Sequence, residues 1–276
     1  MQVLRDPQRM VEQGRLWRAE GLRVGFVPTM GFLHEGHTAL MDAVRPLVDR
    51  LVVSIYVNPL QFGPNEDLDR YPRDPEGDSQ KCQAHGTDLL FMPTDLYPDG
   101  FRSSVAVHGL TAGLCGASRP GHFDGVTTVV CRLFNLVGCH LAAFGEKDFQ
   151  QLAVIQQMVR DLAMPVEILP VPLVRDTDGL ALSSRNKYLD PDQRRRALSL
   201  SGSLNRLAAE AAAGERSVAV LIERAIDRLD CDALDYLEVV DAQTLEPLST
   251  LHDRPARALV AARYGATRLI DNVGVA

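Results

Sequence analysis

The stretch Val24-Gly25-Phe26-Val27-Pro28-Thr29-Met30-Gly31-Phe32-Leu33-His34-Glu35-Gly36-His37 joins a short apolar run to the start of an amphipathic segment. Residues 24–27 read as a strand, and a helix is expected over 36–48. Between them, two glycines let the backbone turn tightly and come close to a ligand. A helix that begins directly after a strand turns its unpaired N–H groups and positive dipole end outward, a ready anion site. His34 and His37 are three residues apart and share one face of that first turn. Imidazolium groups there would donate to phosphate oxygens. The string lacks the His-Glu-x-x-His spacing of a zinc protease.

Outward from this point the pattern repeats. Further strands are expected at 51–57, 88–92, 141–144 and 166–171, with helices at 75–85, 123–137 and 148–162. Strands alternating with helices imply a parallel sheet covered on both faces. Ligands of such sheets bind outside the carboxyl ends of the strands. The pattern changes near residue 176, where Asp176-Thr177-Asp178-Gly179 is turn-rich. Asp190-Pro191-Asp192-Gln193 then has a capping Asp, Pro at the first helical position and Gln at the third. The helix it opens should end at Gly214, and a second is expected over 217–229. Alternating runs at 234–240, 257–263 and 267–272, with a turn at Tyr264-Gly265, complete a small α+β domain. The division expected is 1–176 and 177–276.

Composition narrows the function classes. The 276 residues are 46% hydrophobic and 24% charged, as in an ordinary globule. The net charge of −7 speaks against a nucleic-acid surface, which needs a broad basic face. No apolar stretch approaches the roughly 18 residues of a membrane span, and residues 1–7 lack a signal-peptide core. Five cysteines without a Cys-x-x-Cys pair suggest reduced thiols in the cytoplasm.

Three more strand ends carry candidate chemistry. Asn58-Pro59-Leu60-Gln61-Phe62 follows the second strand, and its amides can bind hydroxyls or a carboxylate without adding charge. A polar loop continues over 65–73. Gly145-Glu146-Lys147-Asp148 follows another strand; Lys147 stands near a helix N-terminus, an unfavourable place that an anionic ligand would relieve. Asp148 suits the cap of that helix, and Gln151 lies one turn on. Ser183-Ser184-Arg185-Asn186 sets hydroxyls beside a guanidinium fork, which suits a triphosphate. Arg119-Pro120-Gly121-His122-Phe123 reads only as a turn and helix start.

In this order, over most of the chain, these motifs resemble the pantothenate synthetase family of the nucleotidyltransferase superfamily. His-x-Gly-His alone would indicate only the superfamily; its combination with Asn-Pro-x-Gln-Phe and Ser-Ser-Arg-Asn is specific. The resemblance implies a Rossmann-like domain with a small C-terminal lid, usually as a homodimer. It implies that residues 28–37 (Pro28, Thr29, Met30, Gly31, Phe32, Leu33, His34, Glu35, Gly36 and His37) cradle ATP. Gly145, Glu146, Lys147, Asp148, Val174, Leu182, Ser183, Ser184 and Arg185 would complete the nucleotide site. Gln61 and Gln151 would hold pantoate, with Gln61 also bordering β-alanine. Two departures matter: Cys115 stands where some members have Glu, and Gly77 and Lys81 interrupt an acidic cluster associated with magnesium. No protein ligand is therefore assigned to Mg²⁺, whose ligands stay open; it would be held mainly by the ATP phosphates.

The reaction implied is ATP-dependent joining of pantoate to β-alanine. A carboxylate resists an amine until it becomes a mixed anhydride with AMP. His34, His37, Lys147 and Arg185 would stabilise the oxygens that gain charge during that step. No base for the amine stands out. Two other readings share the motifs: a nucleotidyltransferase that stops at a stable nucleotidyl product, and a nucleotide-binding regulator without catalysis.

Overall fold

A computed structural model describes residues 1–64 and 66–275; Asn65, which opens the polar loop read over 65–73, and Ala276 lie outside the described residues. In chain order the elements are β1 (Gln2–Leu4), α1 (Pro7–Ala19), β2 (Val24–Thr29), α2 (Glu35–Val44), β3 (Arg50–Ile55), α3 (Pro75–Ala84) and β4 (Leu89–Phe91). Next come α4 (Leu114–Ser118), α5 (His122–Val137), β5 (Leu141–Gly145), α6 (Phe149–Asp161) and β6 (Glu167–Val171). The C-terminal part holds α7 (Pro191–Ala212), α8 (Val218–Ile226), β7 (Ala233–Asp241), β8 (Ala256–Tyr264) and β9 (Thr267–Val275). No described helix is long and apolar enough to cross a membrane.

The chain forms two compact units. The first comprises Met1–Gly109, Arg119–Glu146 and Gln151–Pro172. Its sheet has the order β1-β4-β3-β2-β5-β6, every pair parallel. Chain order runs outward from β2 through β3 to β4 on one side, and from β5 to β6 on the other. The reversal falls between β2 and β5, the switch point where such sheets open a crevice. The alternation of strands and helices read from the sequence is therefore present, as a Rossmann-like parallel sheet.

Three labelled elements escaped the sequence reading: β1, α1 and the five-residue α4. β1 is three residues long, too short to show a period. α1 carries its own signals: Asp6 caps it by accepting from Gln8 N, Pro7 follows, and Met10, Gly14 and Trp17 form its buried stripe. α2 stops earlier than expected, because Pro46 has no N–H to continue the ladder and the chain tightens into a 3₁₀ turn over Arg45–Leu47. β3 also ends early, at Ile55, and Asn58 and Gln61 belong to a separate 3₁₀ turn, Pro59–Gln61.

α2 packs on the sheet through Leu40, Met41 and Val44, which share a buried cluster with Val27 of β2, Leu51 and Val53 of β3, and Leu141 and Ala143 of β5. The approach is close at Gly25, where a Cβ would lie 2.4 Å from Val44 Cγ1 and 2.9 Å from Val48 Cγ1. Glycine here lets α2 settle onto β2.

The second unit comprises Leu110–Ser118, Lys147–Gln150 and Leu173–Ala276. Its sheet is antiparallel, in the order β7-β8-β9. Tyr264 pairs with Thr267 around a two-residue turn, and Gly265 takes φ +57° at its first position. α7 begins with the expected capping box: Gln193 N donates to Asp190 Oδ1 at 2.8 Å, and Asp190 N to Gln193 Oε1 at 3.2 Å. Leu200, Leu204 and Leu207 of α7, Leu221 of α8, and Val239, Val260 and Tyr264 of the sheet form the unit's core. All five cysteines are free thiols.

Gly25→Ala should lower stability by about 1–3 kcal/mol, since overpacking at a rigid helix–strand contact forces backbone shifts. The midpoint of urea denaturation measures it; an unchanged midpoint would mean that α2 does not rest on Gly25.

Candidate functional site

The segment after β2 is held in an unusual conformation. Gly31 and Phe32 have φ of +86° and +51°, two successive residues in the left-handed region. At Gly31 a Cβ would meet Ile55 Cγ2 at 2.9 Å and Asp78 Oδ2 at 3.1 Å. Thr29 begins the bend: its hydroxyl donates to Ser54 O at 2.8 Å and accepts from Gly31 N at 3.2 Å. Asp78 of α3 completes it, accepting from Phe32 N at 2.8 Å and Leu33 N at 2.7 Å. Its carboxylate is 1% exposed. That burial pushes its pKa above the usual range even though both N–H groups pull the other way. The sequence reading had found no role for Asp78, whose partners lie 45 and 46 residues away.

This bend delivers both histidines to the start of α2. His34 caps the helix, its Nδ1 accepting from Gly36 N at 3.2 Å. His37 Nδ1 accepts in return from His34 N at 3.2 Å, so a histidine pair builds the capping box. The rings lie 4.1 Å apart. Each Nδ1 accepts from a backbone N–H, which leaves Nε2 as the ring nitrogen that can donate to a ligand. The histidines offer Nε2–H dipoles, and the helix N-terminus adds its partial positive charge.

Gln61 stands beside this loop. Its Nε2 lies 3.2 Å from Met30 Sδ, and its Oε1 accepts from Asn58 Nδ2 at 3.0 Å. The Arg119-Pro-Gly-His motif, read from sequence only as a turn, fixes the Gln61 backbone. His122 Nδ1 lies 2.8 Å from Gln61 O, and Arg119 Nη2 donates to the same oxygen at 3.3 Å. Arg119 is itself gripped by Glu66 through two bonds of 2.6 Å. Burial would raise the Glu66 carboxyl, but the hydrogen bonds and charge of Arg119 outweigh it and hold the group below its usual range. Gln151 sits half-buried in the first turn of α6, Gly145 closes β5, the neighbour of β2, and Glu146 opens the 3₁₀ turn that follows.

The second unit organises its own candidates. Lys147 and Asp148 lie in a 3₁₀ turn ahead of α6, their charged groups 3.7 Å apart. Asn272 Nδ2 donates to Lys147 O at 2.9 Å. Val174 and Leu182 pair across a short hairpin, Leu182 N donating to Val174 O at 3.0 Å, with Gly179 at φ +93° in its turn. Arg175 locks the hairpin to β9 through a fork on Asp271, 2.7 and 2.9 Å, and Asp271 is 2% exposed. The chain leaving the hairpin enters the 3₁₀ turn Ser184–Tyr188, capped by Ser183, whose hydroxyl accepts from Arg185 N at 3.2 Å. Asn186 Nδ2 ties the turn back to Ala181 O at 2.9 Å.

Among the described residues, no group of three or more His, Cys, Asp or Glu side chains is placed to hold a metal ion. Asp78, in the region of the interrupted acidic cluster, already commits both oxygens to backbone N–H groups.

Comparison with known proteins bears on the family and the fold. The pantoate–β-alanine ligase family model matches residues 2–274. Pantothenate synthetase from Heliobacterium modesticaldum is 49% identical over the whole of this chain and 99% of its own. The crystal structure of pantothenate synthetase from Thermus thermophilus superposes with a TM-score of 0.92 at 47% identity, covering 99% of both chains. Pantoate–β-alanine ligase from Francisella tularensis, complexed with β,γ-ATP and β-alanine, gives a TM-score of 0.79 at 31% identity, over 99% of this chain and 97% of its own. Matched nearly end to end in sequence and in fold, the chain belongs to the pantoate–β-alanine ligase family.

Proposed function

We propose that the ATP-dependent condensation of pantoate with β-alanine proceeds on this chain through a pantoyl-adenylate. The observation that carries the reading is the histidine capping box. It fixes two Nε2–H donors and a helix N-terminus together after β2, aimed by a bend that glycine and Asp78 hold. Such preorganised donors stabilise charge that develops on transferring oxygens, without reorganisation at the moment of reaction.

In the first step, the pantoate carboxylate attacks the α-phosphorus of ATP; a bond forms from carboxylate oxygen to phosphorus, and pyrophosphate leaves with the electron pair. Residues 28–37 with Gly145, Glu146, Asp148, Val174, Leu182, Ser183 and Ser184 bind the nucleotide. His34 and His37 donate from Nε2, while Lys147 and Arg185 bring formal positive charge. Gln61 and Gln151 hold pantoate by amide hydrogen bonds. In the second step, the neutral β-alanine amine, bordered by Gln61, attacks the acyl carbon; the C–N bond forms, the acyl C–O bond to phosphate breaks with its electron pair leaving on AMP, and the amine's surplus proton passes to solvent. Mg²⁺ would arrive with ATP and would supply positive charge to its phosphates. Residues 1–176 bind nucleotide and pantoate and 177–276 act as a lid, in a cytoplasmic homodimer.

Three measurements test this reading. His37→Ala should lower kcat by on the order of 10²–10³, the usual loss for one preorganised donor. Since His37 also closes the cap, His37→Gln separates the two roles: glutamine at this position restores the capping bond, so stability should return while most of the rate loss remains. A His37→Ala enzyme within threefold of wild type would remove His37 from the chemistry. Gln61→Ala should raise the KM for pantoate far more than that for ATP, and an equal rise in both would move Gln61 out of the acid pocket.

With ATP, Mg²⁺ and pantoate but no β-alanine, labelled pyrophosphate should exchange into ATP. Exchange requires pantoate, because its carboxylate is the nucleophile, and Lys147→Ala should abolish it. ADP in place of AMP during full turnover would overturn the adenylate route.

A further inference from the structure

We propose that Tyr97 is a positioning residue for the acid substrate: acting through Asn58, it fixes the Gln61 amide so that Gln61 presents a hydrogen-bond donor and not an acceptor. The inference rests on the reading of Gln61 as a pantoate ligand.

The polarity follows from which groups can only accept. Gly125 O is a carbonyl, so the Asn58 atom 3.1 Å from it must be the amide nitrogen. The other proton of that nitrogen goes to Gln61 Oε1 at 3.0 Å. Asn58 Oδ1 then receives Tyr97 O–H at 2.7 Å and Leu60 N–H at 3.4 Å. Asn58 is 1% exposed, and both its donors and both its acceptor positions are engaged. Gln61 Oε1 is thereby occupied, and the side chain has its Nε2 left to offer, beside the weakly accepting Met30 sulfur.

The frame around this relay is rigid. Gly125 lies against the 3₁₀ turn so closely that a Cβ would sit 2.3 Å from Leu60 O. Tyr97 is held by Phe101 at 4.9 Å and Tyr56 at 6.2 Å between ring centroids, and the Arg132 guanidinium covers Phe101 at 5.6 Å. Burial, and then the neighbouring Tyr56, push the Tyr97 phenol above its usual value, so it keeps its proton and donates. Gly125 O sets the polarity of the relay, and Tyr97 holds it in place: without the phenol, Asn58 loses its shortest bond and restrains the Gln61 amide less tightly.

Tyr97→Phe preserves the ring contacts and removes only the donor. The KM for pantoate should rise about three- to tenfold, the scale of one neutral hydrogen bond, with the KM for ATP unchanged and the denaturation midpoint lowered only slightly. In the Gln61→Ala background the same substitution should add no further rise, because its effect passes through Gln61. An unchanged pantoate KM, an equal rise in both KM values, or the same further rise without Gln61 would overturn the proposal while leaving Gln61 a ligand. If Gln61→Ala alone leaves the pantoate KM unchanged, the assignment of Gln61 fails, and the proposal with it.

Discussion

The buried carboxylate of Asp78, bonded to two adjacent backbone N–H groups, sustains the arrangement of the first unit's site. The chain leaving β2 must turn sharply to start α2 with its N-terminus facing the carboxyl end of the sheet. It does so through Gly31 and Phe32, both left-handed. Glycine adopts that conformation readily, but for a bulky aromatic residue it carries strain of about 1–3 kcal/mol. Charge-assisted bonds from Phe32 N and Leu33 N to one carboxylate offset that strain. The histidines then fall at the cap and third positions of α2, where their rings hold the helix start and each other.

The site also depends on the direction in which hydrogen bonds run. In the capping box, each imidazole accepts at Nδ1, which leaves the Nε2 proton as the only one each ring can present. In the Asn58 relay, a single backbone carbonyl sets the orientation of one amide, which then sets the next. Formal positive charge is confined to Lys147 and Arg185 among the residues proposed to meet ATP phosphates, and the histidines contribute dipoles. A neutral donor pair avoids the repulsion that two cations 4.1 Å apart would feel, while still stabilising developing negative charge.

In the second unit a buried ion pair has a comparable organising place. Arg175 forks onto Asp271, which is nearly inaccessible to water, and anchors the hairpin carrying Val174 and Leu182 to β9. Removal of one partner from such a pair leaves an uncompensated buried charge, so the pair constrains the hairpin strongly. The Ser183–Asn186 turn follows directly and inherits that anchorage through Ala181 and Asn186. Among neighbouring glutamines the division of labour is also clear. Gln150 spends its amide on Leu110 O, Gly113 O and Cys115 N, whereas Gln151 is half-buried and carries the proposed contact with pantoate.

By itself the sequence determined whatever is encoded within a turn or two of chain. The alternation of apolar runs and amphipathic stretches is a local period, and it yielded the parallel sheet and its helices. The α7 capping box is complete within three residues, and the Tyr264-Gly265 turn within two, so both were legible. The motifs around His34, Gln61, Lys147 and Arg185 were legible because each places reactive groups side by side. Tertiary structure decided what joins distant segments: Asp78 with Phe32 across 46 residues, Tyr97 with Asn58 across 39, and His122 with Gln61 across 61. It also decided which ring nitrogen of each histidine meets the backbone, since only the folded chain shows which N–H each one accepts. Such partners leave no periodic trace in a sequence, because a hydrogen bond depends on where two groups meet in space and not on how many residues separate them.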